Sequence, residues 1–358
     1  MSVLDLARPE LLALKPYSSA RLEAQGGELM LNANEWPYPD SPWHRYPDPQ
    51  PEALLQQLAV LYGVSTAQIF VGRGSDEAID LLVRAFCRAG QDAILISPPT
   101  FGMYAVAAGV QGAEVLSVPL RIDGDYSLDV DALIATALAR SVKLVFVCTP
   151  NNPTGGLVPR SEILRLLEAL RGKALVVVDE AYVEFAGVPS LAADLAQHPH
   201  LGVLRTLSKA YGLASARLGC LLAAPELIGL LRRIMAPYPV PGPCLAAALE
   251  ALAPAQGALR EERLALIRSE RERVAAALRA LPAVRRVWPS AANFLCFQIA
   301  DAESVYRRLL AQGIVLRNVA HYLGLPQVLR LSIGRPEDNQ RVLAALAALD
   351  SAPQEAAA

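Results

Sequence analysis

The chain has 358 residues, 53% of them hydrophobic and 19% charged, with a formal net charge of −2. This composition fits a well-buried globular protein with one large and one smaller domain, and it excludes a disordered or fibrous chain. The balanced charge offers no electrostatic footprint for nucleic acid or an anionic membrane, and no apolar run reaches the roughly 20 residues of a membrane span.

The N-terminal stretch MSVLDLARPELLALKPYSSARL has no basic segment followed by an apolar core, so no secretory leader is expected. Up to about residue 50 the chain is rich in Pro, Tyr, Trp and Asn (LNANEWPYPDSPWHRYPDPQP) and reads as an irregular arm lining a site. PEALLQQLAVLYG then reads as a helix stopped by Gly63, and DEAIDLLVRAFCRAG as another stopped by Gly90. Short β-branched runs follow at 93–97, 114–120, 143–148, 174–179, 202–207 and 218–224, with VDALIATALA and RSEILRLLEALRG fitting helices between them. Continuous apolar strands alternating with helices predict an α/β fold with a mainly parallel sheet covered on both faces. A long Arg- and Glu-rich helix near 255–280 precedes three more strand candidates, NFLCFQI, IVLRN and VLRLSIG, which suggests a smaller C-terminal α/β domain. The final SAPQEAAA reads as a frayed tail.

Four unusual loops begin where strands of the parallel sheet end: SPPTFGMY, TPNNPTGG, DEAY and SKAYG. Ligands of open parallel sheets bind beyond the carboxyl ends of the strands, so these loops mark the candidate site. Lysine is rare here, four residues against 29 arginines. Lys209 therefore stands out, because an amine can attack a carbonyl and a guanidinium effectively cannot. The plainer alternative is a surface lysine at a helix start. Asp179 closes an almost wholly apolar strand, where a carboxylate needs a partner: a structural ion pair, a helix cap, or a cationic ring nitrogen.

In GRGSDEAID, Ser75 reads as an N-cap followed by the acidic first-turn residues Asp76 and Glu77, or else the helix start holds a phosphate on its amides. Thr206, Ser208 and Arg217 bracket Lys209 with two hydroxyls and a guanidinium, a set suited to phosphate. Asn152 lies in the NNPTG turn, and its bond to Pro153 is a candidate cis peptide. Phe101 and Tyr104 follow a strand end, where aromatics are commonly core and could instead stack on a flat ligand. The four histidines show no metal-ligand spacing, and His198 and His200 read as part of an exposed loop, so no metal is expected. Five scattered cysteines without a CxxC pair read as buried free thiols in a reducing cytoplasm.

In this order, LNANEWPYP, RYPDPQP, GRGSDEAIDLLVRAFC, SPPTFGMYAV, TPNNPTG, VVVDEAYVEF, RTLSKAYGLASARLG and APYPVPGP resemble the pyridoxal-phosphate aminotransferases of fold type I, and within them the histidinol-phosphate aminotransferase family. The resemblance implies an arm over 1–45, a large cofactor-binding domain over 46–255 and a small domain over 256–358. It implies pyridoxal 5′-phosphate held as an aldimine on Lys209, with Asp179 on the pyridine nitrogen, and Tyr182 and Asn152 on the ring hydroxyl oxygen. Phe101 would stack on the ring, where the family often has Tyr. Ser75 and Asp76 (by backbone amides), Thr206, Ser208 and Arg217 would hold the phosphate, with Tyr46 reaching it from the other subunit of a homodimer. Arg330 would grip the substrate's acidic group, with Tyr17, Asn34 and Arg317 lining the same pocket. The implied activity is transamination between L-histidinol phosphate and 2-oxoglutarate in histidine biosynthesis. An aromatic amino-acid aminotransferase and a threonine-phosphate decarboxylase are the alternatives on the same fold, against which GMY at 102–104 and APYP at 236–239 speak. A non-catalytic regulator would need a DNA-binding segment that the sequence does not display, and a nicotinamide enzyme would need a GxGxxG that is absent.

Overall fold

The computed structural model describes residues 2–17, 20–23, 29–122 and 124–351. The large sheet has seven strands: β1 Ile69–Gly72, β2 Ala93–Ile96, β3 Glu114–Ser117, β4 Leu144–Cys148, β5 Leu175–Asp179, β6 Leu201–Thr206 and β7 Gly219–Ala223. Their order is β1-β7-β6-β5-β4-β2-β3. Strands β2 to β6 pair in parallel, while β7 lies antiparallel between β6 and β1. The expected mainly parallel sheet is thus present, with one reversed strand. β1 was not foreseen.

The central strands are apolar on both faces because both are covered. Along β4, Val145 and Val147 join a core with the helices Glu52–Tyr62, Val130–Ala139 and Arg160–Leu170. Leu144, Phe146 and Cys148 face the opposite core, under the helices Ser75–Phe86, Met103–Gln111 and Pro225–Ile234. β3 forms an edge and is partly exposed, and it stops at Ser117, short of the expected 120.

A second sheet, ordered β10-β11-β9-β8, is antiparallel: β8 Val284–Val287, β9 Phe294–Ile299, β10 Arg317–Asn318 and β11 Val328–Ser332. It packs with the helices Gly257–Arg279, Ala302–Ala311 and Pro336–Ser351 in a separate core. Of IVLRN only Arg317 and Asn318 pair as strand, and β8 was not foreseen. Ser351 ends the last helix, and the rest of the expected tail lies outside the described residues.

Three local readings need correction. His198 and His200 are buried, not exposed: His200 Nε2 lies 2.8 Å from the Leu167 carbonyl, directly before β6. Gly74, with φ +82°, is the N-cap of Ser75–Phe86, and Ser75 is its first helical residue. Cys244 is only half-buried, while the other four cysteines are buried; all five are free. No helix among the described residues is long and apolar enough to cross a membrane.

Candidate active site

Strands β2, β4, β5 and β6 run parallel, so the four loops at their carboxyl ends share one edge of the sheet. The loop after β6 folds back to β7. Thr206 Oγ1 donates to the Leu218 carbonyl at 3.3 Å and accepts from the Ser208 amide at 3.1 Å. Arg217 sits in the left-handed region at φ +52°. Its Nη1 donates to Ala214 O at 3.1 Å and lies 3.4 Å from Ser208 Oγ, and its Nη2 pairs with Asp76 Oδ2 at 3.1 Å. That pair joins the loop to the first turn of the helix Ser75–Phe86.

Two glycines make this approach possible. A Cβ on Gly74 would lie 2.9 Å from Arg217 Nη2, and one on Gly219 would lie 2.3 Å from the Ser75 amide nitrogen. Gly74 supplies no side-chain cap, so the first amides of the helix are left for a ligand. Glu77 turns away from them. It accepts from the Arg73 amide at 2.7 Å and from Arg73 Nη2 at 2.8 Å. The result is a cup of amides, hydroxyls and a guanidinium, the donor set that suits a phosphate.

Asp179 ends β5 and is 3% exposed. Its Oδ1 accepts from the Ala181 amide at 3.0 Å and its Oδ2 from the Tyr104 hydroxyl at 2.6 Å. Burial raises its carboxyl above the ordinary range despite these donors. It forms no ion pair among the described residues, so it remains a buried carboxylate short of a cation. Tyr182 is buried, its ring set edge-on to Phe294, and its hydroxyl accepts from Asn152 Nδ2 at 3.4 Å. The Asn152–Pro153 peptide is cis, as are Pro98–Pro99 and Thr149–Pro150. Phe101 is half-buried with its ring perpendicular to that of Tyr104.

Lys209 Nζ lies 5.7 Å from the centre of the Tyr182 ring. Desolvation lowers its pKa from the ordinary lysine value, and the charges of Arg330 and Arg217 lower it further, while Asp76 and Asp179 oppose them. Arg330, on β11, hydrogen-bonds Asn152 Oδ1 and stacks 5.1 Å over Phe294. Arg317 is its direct cross-strand partner in β10, and opposed residues of an antiparallel pair face the same side. Arg317 is exposed and makes no side-chain hydrogen bond or ion pair among the described residues.

The N-terminal residues stand apart in the single chain. Tyr46 stacks on Tyr238 at 4.5 Å between ring centres. Tyr17 lines a separate groove of about 640 Å³ with Arg21, Asp48 and Arg232. Asn34 is exposed at φ +52°. Among the described residues no hydrogen bond, ion pair or ring contact joins Tyr17, Asn34 or Tyr46 to Lys209 or Arg330. Conversely, the sequence offered Tyr104 only as core or a stacking ring, not as a donor to Asp179, and did not mark Phe294. The available signal for Tyr104 was a hydroxyl on an otherwise apolar helix face, three residues after Phe101.

These groups fit pyridoxal phosphate: a glycine-lined phosphate cup, an aromatic face, an unpaired buried carboxylate and a lysine made easier to deprotonate. The model of the family described as aminotransferase class I and II matches residues 30–346. The chain is 56% identical over 353 residues to the histidinol-phosphate aminotransferase of Stenotrophomonas maltophilia (strain R551-3), covering 97% of each. It is 51% identical over 352 residues to that of Xanthomonas euvesicatoria pv. vesicatoria (strain 85-10), covering 96% of this chain and 97% of the relative. The crystal structure of histidinol-phosphate aminotransferase from Sinorhizobium meliloti in complex with pyridoxal-5′-phosphate is similar with a TM-score of 0.77 and 27% identity, covering 96% of this chain and 87% of that one.

Proposed function

This chain belongs to the aminotransferase class I and II family, and from that premise we propose that it exchanges the amino group of L-histidinol phosphate with 2-oxoglutarate, giving imidazole-acetol phosphate and L-glutamate in histidine biosynthesis. Relatives of that activity at 56% and 51% identity over nearly the whole chain support this over the aromatic aminotransferase and the threonine-phosphate decarboxylase. The observation that carries the chemistry is the meeting of Lys209, Asp179 and the Arg217 cup at one sheet edge.

Pyridoxal phosphate, when bound, supplies an electron sink that acidifies the Cα–H of an amine substrate. Ser75 and Asp76 amides with Thr206, Ser208 and Arg217 hold its phosphate, and Phe101 covers a ring face. Asp179 keeps the ring nitrogen protonated, since an opposite charge nearby favours the cationic form. Asn152 and Tyr182 hold the ring hydroxyl oxygen. Lys209 Nζ would hold the cofactor at its aldehyde carbon and, when free, would serve as the base and then the acid that moves the substrate's Cα proton. Its lowered pKa suits both roles. Arg330 receives the phosphate of one substrate and a carboxylate of the other, because a guanidinium fork matches both. Arg317 shares its face of the sheet.

We assign the cofactor to a large domain over 46–255 and the Arg330 grip to a small domain over 256–358. We further assign a homodimer in which Tyr46 reaches the partner's phosphate cup and the arm residues Tyr17 and Asn34 complete the substrate pocket. Free cysteines, four of them buried, suit a reducing cytoplasm. The test is a half-reaction: holoenzyme is mixed with one amine and no 2-oxo acid, and the cofactor absorbance is followed. Histidinol phosphate should convert the cofactor far faster than phenylalanine or threonine phosphate. Faster conversion by either rival amine, or release of carbon dioxide, would overturn the assignment.

A further inference from the structure

Tyr104 occupies the first turn of the helix Met103–Gln111 and is fully buried. Its ring lies nearly parallel to Phe146, 4.7 Å between centres, and edge-on to Phe101 at 5.6 Å. A phenylalanine would fill the same space, so the hydroxyl calls for its own explanation. That hydroxyl donates to Asp179 Oδ2 at 2.6 Å, the short distance of a charge-assisted bond.

We propose that Tyr104 is a positioning residue for the reaction, holding Asp179 ionised and oriented so that the proton shared with the cofactor's ring nitrogen stays on the nitrogen. The inference rests on the reading of this site as a pyridoxal-phosphate site. A carboxylate that accepts hydrogen bonds is less basic, so it leaves the shared proton with its partner. Tyr104 can only donate here. Burial first, and then the Asp179 charge, keep its phenol protonated far above ordinary pH. The Ala181 amide holds the other carboxylate oxygen from the same strand end, so the two donors together fix the carboxylate. The contact with Phe101 adds a second link. One side chain sets the carboxylate against the ring edge and buttresses the aromatic that covers the ring face.

The charged and titratable groups that act on this pair are Asp76, Lys209, Cys148 and Tyr182, with Arg217 and Arg330 acting on Lys209 beside it. Burial raises the Cys148 thiol, which leaves it neutral. Tyr104→Phe changes none of these charges. It removes only the donor, so any titration change traces to Asp179 and the ring nitrogen.

The test compares wild-type and Tyr104→Phe holoenzyme by three readouts: the pH midpoint of the bound cofactor's visible absorbance, the dissociation constant for pyridoxal phosphate, and the split between kcat and KM. Losing a hydrogen bond to a charged group should weaken cofactor binding about tenfold, lower kcat about tenfold and leave KM within about twofold. The absorbance midpoint should move up, because a less cationic ring withdraws less charge from the anchoring nitrogen. Fluorotyrosine at 104, a stronger donor, should move the midpoint down. It also decides the matter if Tyr104→Phe fails to fold. An unmoved midpoint in both variants, even with reduced kcat, would reduce Tyr104 to packing and overturn the proposal. Failure of the wild-type protein to bind pyridoxal phosphate would instead overturn the reading of the site itself.

Discussion

Gly219→Ala tests the cup without touching any side chain assigned to the chemistry. The new Cβ would lie 2.3 Å from the Ser75 nitrogen, 2.6 Å from the Gly74 carbonyl carbon and 3.0 Å from the Arg205 carbonyl oxygen. All three are backbone atoms, so no rotamer change relieves the overlap. Either β7 or the start of the helix Ser75–Phe86 must move. Inserting one carbon into a tight contact costs about 3 kcal/mol, the upper part of the overpacking range. For a chain of this size, with an unfolding entropy of roughly 0.75 kcal/mol/K, that lowers Tm by about 4 °C. The amides of Ser75 and Asp76 move with the helix start, so the cofactor phosphate loses donors as well. In the wild type, pyridoxal phosphate at a hundredfold excess over its Kd adds about 2.7 kcal/mol of stability. The variant should gain much less at the same concentration. The assay is thermal unfolding with and without pyridoxal phosphate, alongside equilibrium dialysis of the cofactor. A lowered Tm with an undiminished cofactor shift would leave the glycine a packing role and refute the assignment of those amides. An unchanged Tm would refute the close contact itself.

Arg205→Met should cost about 3–5 kcal/mol, because it strands the buried carboxylate of Glu180 and unpairs the half-buried one of Glu184. Burial already raises the Glu180 pKa with Arg205 present, and a raised folded pKa costs stability as pH climbs above the ordinary carboxylate value. The loss should therefore be larger at pH 8 than at pH 5 in denaturant titrations, and the opposite trend would contradict the buried pair. Arg330→Gln removes the second-largest influence lowering the Lys209 pKa, so the pH profile for acylation of Lys209 in cofactor-free protein should move upward. Mass spectrometry of the labelled peptide reads it, and an unshifted profile would separate Arg330 from the lysine. Tyr46→Ala mixed with Lys209→Ala should regain activity, each variant being nearly inactive alone, since a mixed dimer carries one intact site. No recovery from a verified mixed dimer would place Tyr46 outside the partner's site.

The cofactor half of the site was legible because its residues are close in sequence or follow from topology. Thr206, Ser208, Lys209 and Arg217 share one loop, and Asp179 ends the strand paired with that loop's strand. The contact between Arg217 and Asp76 spans 141 positions and joins the loop after β6 to the helix after β1, so Asp76 was placed by the family resemblance and not by a strand-end rule. Other features depend on tertiary contacts that no local pattern encodes. Tyr104 reads as core until Asp179 is seen across the sheet. His198 and His200 look like loop residues, and they are buried because the loop folds under the end of Arg160–Leu170. β8 (VRRV) and β10 (RN) carry charged residues that hide a strand pattern.

The arm explains why the substrate half was harder to read. Trp36, Tyr38, Trp43, Tyr46, Leu29 and Leu31 are all exposed in the single chain, an apolar surface that isolated monomers rarely leave uncovered. Yet the arm is organised before anything covers it. Glu35, with its side chain 3% exposed, accepts from Arg21, Arg45 and the Tyr46 amide. Those contacts hold its carboxyl below the ordinary value against the opposing effect of burial. Trp43 packs where a Cβ on Gly242 would lie 2.7 Å from its ring, and Tyr46 stacks on Tyr238 of the APYP segment. An arm already fixed by ion pairs and stacking loses little conformational freedom on docking, so more of its apolar burial remains as binding free energy. The same clamp fixes where Tyr46 points. In the proposed dimer Tyr46 needs that direction set in advance, and the bond from its amide to Glu35 sets it.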